Sequence, residues 1–317
     1  MIPRVRTALG DVAAAALGRV DYHEHLFQVS PLLPDDDLDD ERASGEEAAA
    51  LAASGFEAMV DATPTGLGRR PAAAARVAAA TGLHVVLSTG AHREEHYGDG
   101  HPLLSRSERQ LADAFRGDVL DGLRQEDRPD AAPALDPSGR PVRAGLLKAG
   151  IGYWRITPFE HRVLAAVASA HAATGAPVMV HLEHGSAGFE LLEVLTAAGV
   201  PAAAIVLAHV DRAPDPVLHA DLAAAGAYLG YDGWARYREW PDSVLVGCVA
   251  RAIELGAAER ILLGGDVARR SRYIAYGGMP GLAYLGRRAL PSLRAEVGDA
   301  AVRAMLVDNP ARLLGRF

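Results

Sequence analysis

A single cysteine, Cys248, stands among 317 residues, which excludes an internal disulfide framework and any cysteine-rich metal site. Polar chemistry must then come from His, carboxylate, Lys or hydroxyl groups, and the lone thiol fits a cytoplasmic protein in a reducing compartment. No apolar run approaches the roughly 18 residues of a membrane span. Positive charge is not in excess: the formal charge is −8, which removes the electrostatic reason to expect nucleic acid or an anionic membrane and leaves a small-molecule substrate as partner. No Gly-rich phosphate fingerprint follows the first strand-like run, which counts against an open doubly wound sheet. Residues 1–18 carry arginines and an apolar stretch like those of a secretory leader, but Asp11 interrupts a run that is already short.

What is present is apolar content, 50% of the chain, enough to bury a large core in one domain spanning residues 1–317. Apolar, β-branched runs fall at 19–25, 56–62, 84–89, 144–149, 177–182, 205–210, 227–231 and 260–265. Between them lie Ala- and Leu-rich stretches with helical spacing, among them 44–54, 70–81, 107–123, 158–174, 188–198, 214–225 and 242–255. Eight such alternations predict an α/β fold of the (β/α)8 TIM barrel type. Gly55, Gly82, Gly175, Gly199, Gly226 and Gly256 each precede a strand, where a helix C-terminus favours a left-handed residue. The acidic stretch 35–47 reads as a solvated loop and helix start, with Ser44 and Glu47 as a capping box. The Asp-, Pro- and Gly-rich segment 124–141 joins a helix to a strand and is expected on the face away from chemistry.

In such a barrel the C-terminal strand ends open on one face, so polar residues placed there converge although distant in sequence. The first strand ends in His23-Glu24-His25, whose alternation points both histidines one way and Glu24 the other. Lys148, His181, His209 and Asp266 occupy the ends of strands four, five, six and eight. Each alone is a weak signal, since a lone strand-end histidine usually serves as a hydrogen-bonding core residue, and Lys148 can be read as an ion-pair partner of Asp266. Together they suit a catalytic site for zinc, manganese, iron or cobalt.

At this point the chain resembles the phosphotriesterase family of the amidohydrolase superfamily, which includes the phosphotriesterase-like lactonases. The resemblance runs from Val5-Arg6-Thr7-Ala8-Leu9-Gly10 and His23-Glu24-His25 through Arg143-Ala144-Gly145-Leu146-Leu147-Lys148, Thr157-Pro158-Phe159 and Thr174-Gly175-Ala176-Pro177-Val178 to His209, Gly265-Asp266 and Asp308-Asn309-Pro310-Ala311-Arg312. It implies a metal-dependent hydrolase of ester bonds with two divalent metal ions, bridged by Lys148 as an N6-carboxylated lysine. By the same resemblance His23, His25 and Asp266 hold the more buried ion, and His181 with His209 the more exposed one. Two cations sharing a water make a bridging hydroxide available as nucleophile near neutral pH, and Asp266 can take its proton. An unmodified ammonium beside two dications would be repelled, a conflict that carboxylation of Lys148 removes.

The implied activity is that of a lactonase, with phosphotriester hydrolysis as a side activity. The stretch Ala275-Tyr276-Gly277-Gly278-Met279-Pro280-Gly281 resembles relatives acting on phosphorylated sugar lactones. Tyr231-Asp232-Gly233-Trp234 and the arginines Arg269, Arg270 and Arg272 are candidates for the substrate wall, the arginines suiting an anionic group or, equally, a charged surface. Tyr97, in the polar loop 92–97, is a further substrate candidate. Glu183 and His184 suit partners that orient the ligands. Trp234, Tyr237 and Trp240 suit either a pocket rim or the contact surface of a homodimer. Two other readings stay open: an aldolase-like barrel whose Lys148 forms a Schiff base, and a barrel that binds without catalysis.

Overall fold

Alternation of buried β-branched runs with helical stretches closes the chain on itself. The computed structural model describes residues 2–317 apart from Pro129, Tyr237 and Glu239. A hairpin of β1 (Arg4–Thr7) and β2 (Gly10–Ala13) leads into β3 (Val20–Glu24), α1 (Glu41–Ala53), β4 (Ala58–Asp61), α2 (Pro71–Thr81), β5 (His84–Gly90) and α3 (Glu108–Leu120). Then come β6 (Leu146–Ile151), α4 (Pro158–Thr174), β7 (Val178–Leu182), α5 (Gly188–Ala197), β8 (Ile205–Ala208), α6 (Pro216–Ala224) and β9 (Tyr228–Tyr231). The chain ends with α7 (Asp242–Glu254), β10 (Ile261–Leu263), α8 (Leu290–Arg303) and α9 (Asn309–Leu314).

The order of β3 to β10 in the sheet is their order in the chain, and each hydrogen-bonded neighbour runs parallel. This is a nearly closed (β/α)8 TIM barrel, as the eight sequence runs predict. The six glycines expected at helix ends all have positive φ, from 76° to 103°. Val20, Tyr22, Val60, Leu146, Met179, Val206 and Leu262 fill the barrel interior, packed with Val5 of the hairpin and Leu314 of α9. Residues 4–13 therefore form a hairpin that contributes to the core, an element the sequence reading leaves unassigned.

Register decides which side chains reach the mouth. Asp21 pairs with Met59 but Glu24 with Asp61, so β3 holds one extra residue between them. Such a bulge breaks strict alternation. Tyr22 joins the interior cluster and His23 the polar site, while Asp21 and Glu24 share the outer side. There they close the seam between the first and last barrel strands. Asp21 Oδ1 accepts from the backbone N–H groups of His23 and Gly265, Glu24 Oε2 accepts from Val267 N at 2.9 Å, and Asp266 N donates to His23 O at 2.8 Å. Burial, followed by the neighbouring Asp21, pushes the Glu24 carboxyl well above its ordinary range.

Two local expectations are corrected. Helix α1 begins earlier than expected, capped by Asp40, whose side chain accepts from Arg42 N and Ala43 N. Ser44 instead donates to Leu26 O, and Glu47 accepts from Ala275 N and Leu282 N. Segment 124–141 does not stay at the far face: Asp127 accepts from Gly66 N and Arg69, in the loop that follows β4.

The seam carries a stability prediction. Glu24→Ala strands the Val267 N–H and leaves a void, at a cost of about 2–4 kcal/mol, whereas Glu24→Gln keeps a donor and an acceptor in place and costs about 1 kcal/mol. Urea unfolding of the two variants tests this, and equal losses would show that the seam does not depend on these bonds.

Candidate metal centre

Strand ends supply the centre. His23 lies within β3 and His25 just after it; Lys148 lies in β6 and His181 in β7; His209 and Asp266 follow β8 and β10. All six are buried, none more than 6% exposed. Ligand atoms of His23, His25 and Asp266 lie within 4.8 Å of one another. His25 Nε2 is 3.6 Å and His23 Nε2 3.8 Å from Asp266 Oδ1, and Lys148 Nζ is 3.3 Å from His23 Nε2. The rings of His181 and His209 sit 4.4 Å apart, those of His209 and His23 5.0 Å apart. The six residues singled out in the sequence thus converge.

Each imidazole has one nitrogen engaged from behind. Asp232 Oδ1 accepts from His209 Nδ1 at 2.6 Å, and Asp232 Oδ2 from His23 Nδ1 at 3.0 Å. Thr63 Oγ1 meets His25 Nδ1 at 2.8 Å, and Glu183 Oε2 meets His181 Nε2 at 2.8 Å. A hydrogen bond to one ring nitrogen fixes the tautomer and leaves the other as a lone-pair donor. Burial, followed by the charge of Lys148, pushes the His23 pKa down to about 3, so its ring is neutral. Asp232 also accepts from the Tyr22 hydroxyl. Although burial opposes ionisation of Asp232, His209 and His23 hold it well below the usual carboxylate range.

Lys148 has no such anchor. Its Nζ meets His23 Nε2 and, at 3.0 Å, Met179 Sδ, and among the described residues it has no carboxylate partner. The alternative reading of Lys148 as an ion-pair partner of Asp266 is not what the geometry shows. Burial pushes its pKa down to about 8, so the neutral amine is accessible near physiological pH. Gly90 pairs with Lys148 across β5 and β6, and a Cβ there would fall 2.0 Å from the Lys148 carbonyl, so glycine is required at this approach.

Asp266 faces three guanidiniums. Arg212 Nη2 lies 3.0 Å from Oδ2, Arg236 reaches both Oδ2 and the backbone carbonyl, and Arg272 Nη1 lies 3.4 Å from that carbonyl. Burial, then the charge of Arg236, lowers the Arg272 pKa to about 10. His209 and Asp266 both sit in the left-handed region, at φ 67° and 44°, a conformation that costs about 1–3 kcal/mol and persists only where the surroundings over-determine it.

The substrate wall differs from the sequence expectation. Arg272 enters the site, but Arg269 turns to Asp36 at 3.7 Å and Arg270 stacks over Tyr276. Tyr231 is fully buried outside the barrel, its hydroxyl 2.6 Å from His219 Nδ1. The Tyr97 hydroxyl accepts from His92 N and donates to Thr65 O, so it braces the 92–97 loop. Trp234 is buried, while Trp240 is exposed and donates to Arg212 O; Tyr237 lies outside the described residues. His184 is exposed, leaving Glu183 as the partner of His181. Sequence reasoning missed the bridging role of Asp232 and the arginines Arg212 and Arg236, and it placed His92 in a polar loop without a specific role. The His92 ring is 4.6 Å from that of His181, and its Nδ1 accepts from Arg93 N at 2.7 Å.

The sequence profile of the phosphotriesterase family matches residues 3–314. The chain belongs to the phosphotriesterase family. A phosphotriesterase homology protein of Mycobacterium tuberculosis is 32% identical over 336 residues, covering 99% of this chain and 98% of that protein. A phospho-furanose lactonase of Mycoplasmopsis synoviae is 28% identical over 324 residues, covering 98% and 91%. The crystal structure of a lactonase from Listeria monocytogenes superposes with a TM-score of 0.88 at 30% identity, covering 99% of each chain. This chain is accordingly a metal-dependent hydrolase of the phosphotriesterase family. Its residues fit a metal: the buried imidazoles of His23 and His25 turn one nitrogen toward Asp266, with their other nitrogens engaged. The His23, His209 and Asp232 group is itself hydrogen-bonded, so Asp232 orients those rings.

Asp232→Ala should weaken zinc binding by about 10–100-fold, measured by calorimetric titration of chelator-stripped protein. Unchanged affinity would mean that the two rings hold their orientation without it.

Proposed function

We propose that the protein is a binuclear lactonase acting on lactones that bear a phosphate or another anion, with phosphotriester hydrolysis as a side activity. The observation that carries this reading is the convergence of four imidazoles, Lys148 and Asp266 beneath the guanidiniums of Arg212, Arg236 and Arg272. His23, His25 and Asp266 would hold one cation, His181 and His209 the other, with Lys148 carboxylated on Nζ between them. Two divalent ions, zinc by preference with manganese, cobalt or iron as substitutes, supply a Lewis acid for the substrate carbonyl or phosphoryl oxygen and a water acidified toward neutral pH.

The remaining roles belong to the chain. Lys148, buried and without a carboxylate partner, reacts with CO2 as the neutral amine. Asp266 accepts the nucleophile's proton at its carboxylate. Burial opposes its ionisation, yet Arg236, His23 and His209 hold its pKa well below the ordinary range, so basicity is gained when a substrate anion draws the guanidiniums away. Arg272 and Arg236 receive that anion through charge-assisted bonds. The His92 tautomer leaves Nε2–H free to donate to a substrate oxygen. A single buried thiol agrees with work in the cytosol, and no helix among the described residues is long and apolar enough to cross a membrane.

A panel of neutral and phosphorylated sugar lactones, aryl esters and a phosphotriester, assayed on metal-loaded protein, tests this reading. Phosphorylated lactones should give the highest kcat/KM, and Lys148→Ala and chelation should each abolish turnover. Arg272→Ala should raise KM about ten-fold or more for phosphorylated lactones, with little effect on neutral ones. Turnover that survives chelation, or borohydride trapping of substrate on Lys148, would favour the Schiff-base barrel instead.

A further inference from the structure

Outside the barrel, where α6 and α7 pack over the ends of β8 and β9, three buried side chains form a group that the proposed chemistry does not use. His219 Nε2 lies 3.0 Å from Val210 O and 3.1 Å from Ala213 O, and its Nδ1 lies 2.6 Å from the Tyr231 hydroxyl. Carbonyls only accept, so Nε2 carries the proton and Nδ1 accepts from the Tyr231 O–H. Cys248 Sγ adds a contact at 3.5 Å to Nδ1. His219 is 1% exposed and Tyr231 fully buried.

What this group touches gives it a role. Val210 directly follows His209, and Tyr231 directly precedes Asp232. His219 therefore bonds the backbone next to one end of the His209–Asp232 hydrogen bond and, through Tyr231, the strand that carries the other end. The left-handed backbone of His209 opens the turn whose Val210 and Ala213 carbonyls His219 gathers, and Arg212 lies in the same turn. Such a conformation needs support from outside itself. Gly185 approaches from the other side, where a Cβ would lie 3.0 Å from Val210 O.

We propose that His219 is a positioning residue of the metal centre, holding the His209 turn and the Asp232 strand end in mutual register from outside the barrel. The proposal rests on the reading of His209 as a ligand. Its role passes through backbone and Tyr231, and it touches neither substrate nor ion.

Cobalt titration of chelator-stripped protein, followed by visible absorption, tests it in three variants whose folding is checked by circular dichroism. His219→Phe fills the ring volume without hydrogen bonds; His219→Gln can donate to the carbonyls and accept from Tyr231; Tyr231→Phe cuts one link and serves should His219→Phe fail to fold. His219→Phe and Tyr231→Phe should each weaken one cobalt equivalent ten-fold or more, with altered absorption, and lower kcat for a phosphorylated lactone while KM stays within about two-fold. His219→Gln should restore most of both. Folded His219→Phe, or in its place Tyr231→Phe, taking up both equivalents with wild-type affinity and spectrum would overturn the positioning role alone. A wild-type protein that takes up no cobalt would sink the metal reading and this proposal with it.

Discussion

Asp232 is the constraint from which the centre is built. A carboxylate with no exposure to solvent is costly unless its lone pairs are satisfied, and here a tyrosine hydroxyl and two imidazole N–H groups do so. The same three bonds dictate how the site is presented. With Nδ1 of His23 committed to Asp232, its Nε2 faces inward, toward Lys148 and Asp266, and Asp232 fixes the His209 ring in the same way through Nδ1. The β3 bulge makes this possible by turning Tyr22 inward beside His23. Fold irregularity, buried charge and ligand orientation are thus successive links of one chain of cause.

Local charge and total charge point in opposite directions. The chain carries a formal −8, yet three guanidiniums crowd Asp266 at the mouth. Net charge informs on solubility and long-range association, while ligand choice is decided over a few ångströms. In the proposed reading this cluster would bind an anionic substrate, and the Asp266 carboxylate would stay ionised and weakly basic until those charges are shared.

The fold and the six convergent residues were legible because both depend on short-range pattern: apolar runs mark the strands, and a parallel barrel gathers its strand ends by topology. Where the pattern was local but the partner distant, the reading failed. Ser44 and Glu47 have capping-box spacing, yet Glu47 is claimed by Ala275 N and Leu282 N from the far end of the chain. Tyr231 was open to the alternation argument that served His23 and His25: with Asp232 facing in, its neighbour faces out. Arg212 and Arg236 reach Asp266 from irregular turns, and no periodicity announces where such side chains point.

The account stands on this arrangement holding two cations across a modified lysine. Anomalous diffraction from crystals grown with manganese and bicarbonate tests that directly. Two anomalous peaks are predicted, one contacted by His23, His25 and Asp266 and the other by His181 and His209, with carbamate density joining Lys148 to both. Peaks elsewhere, or an unmodified Lys148 amine in a metal-free pocket, would contradict it.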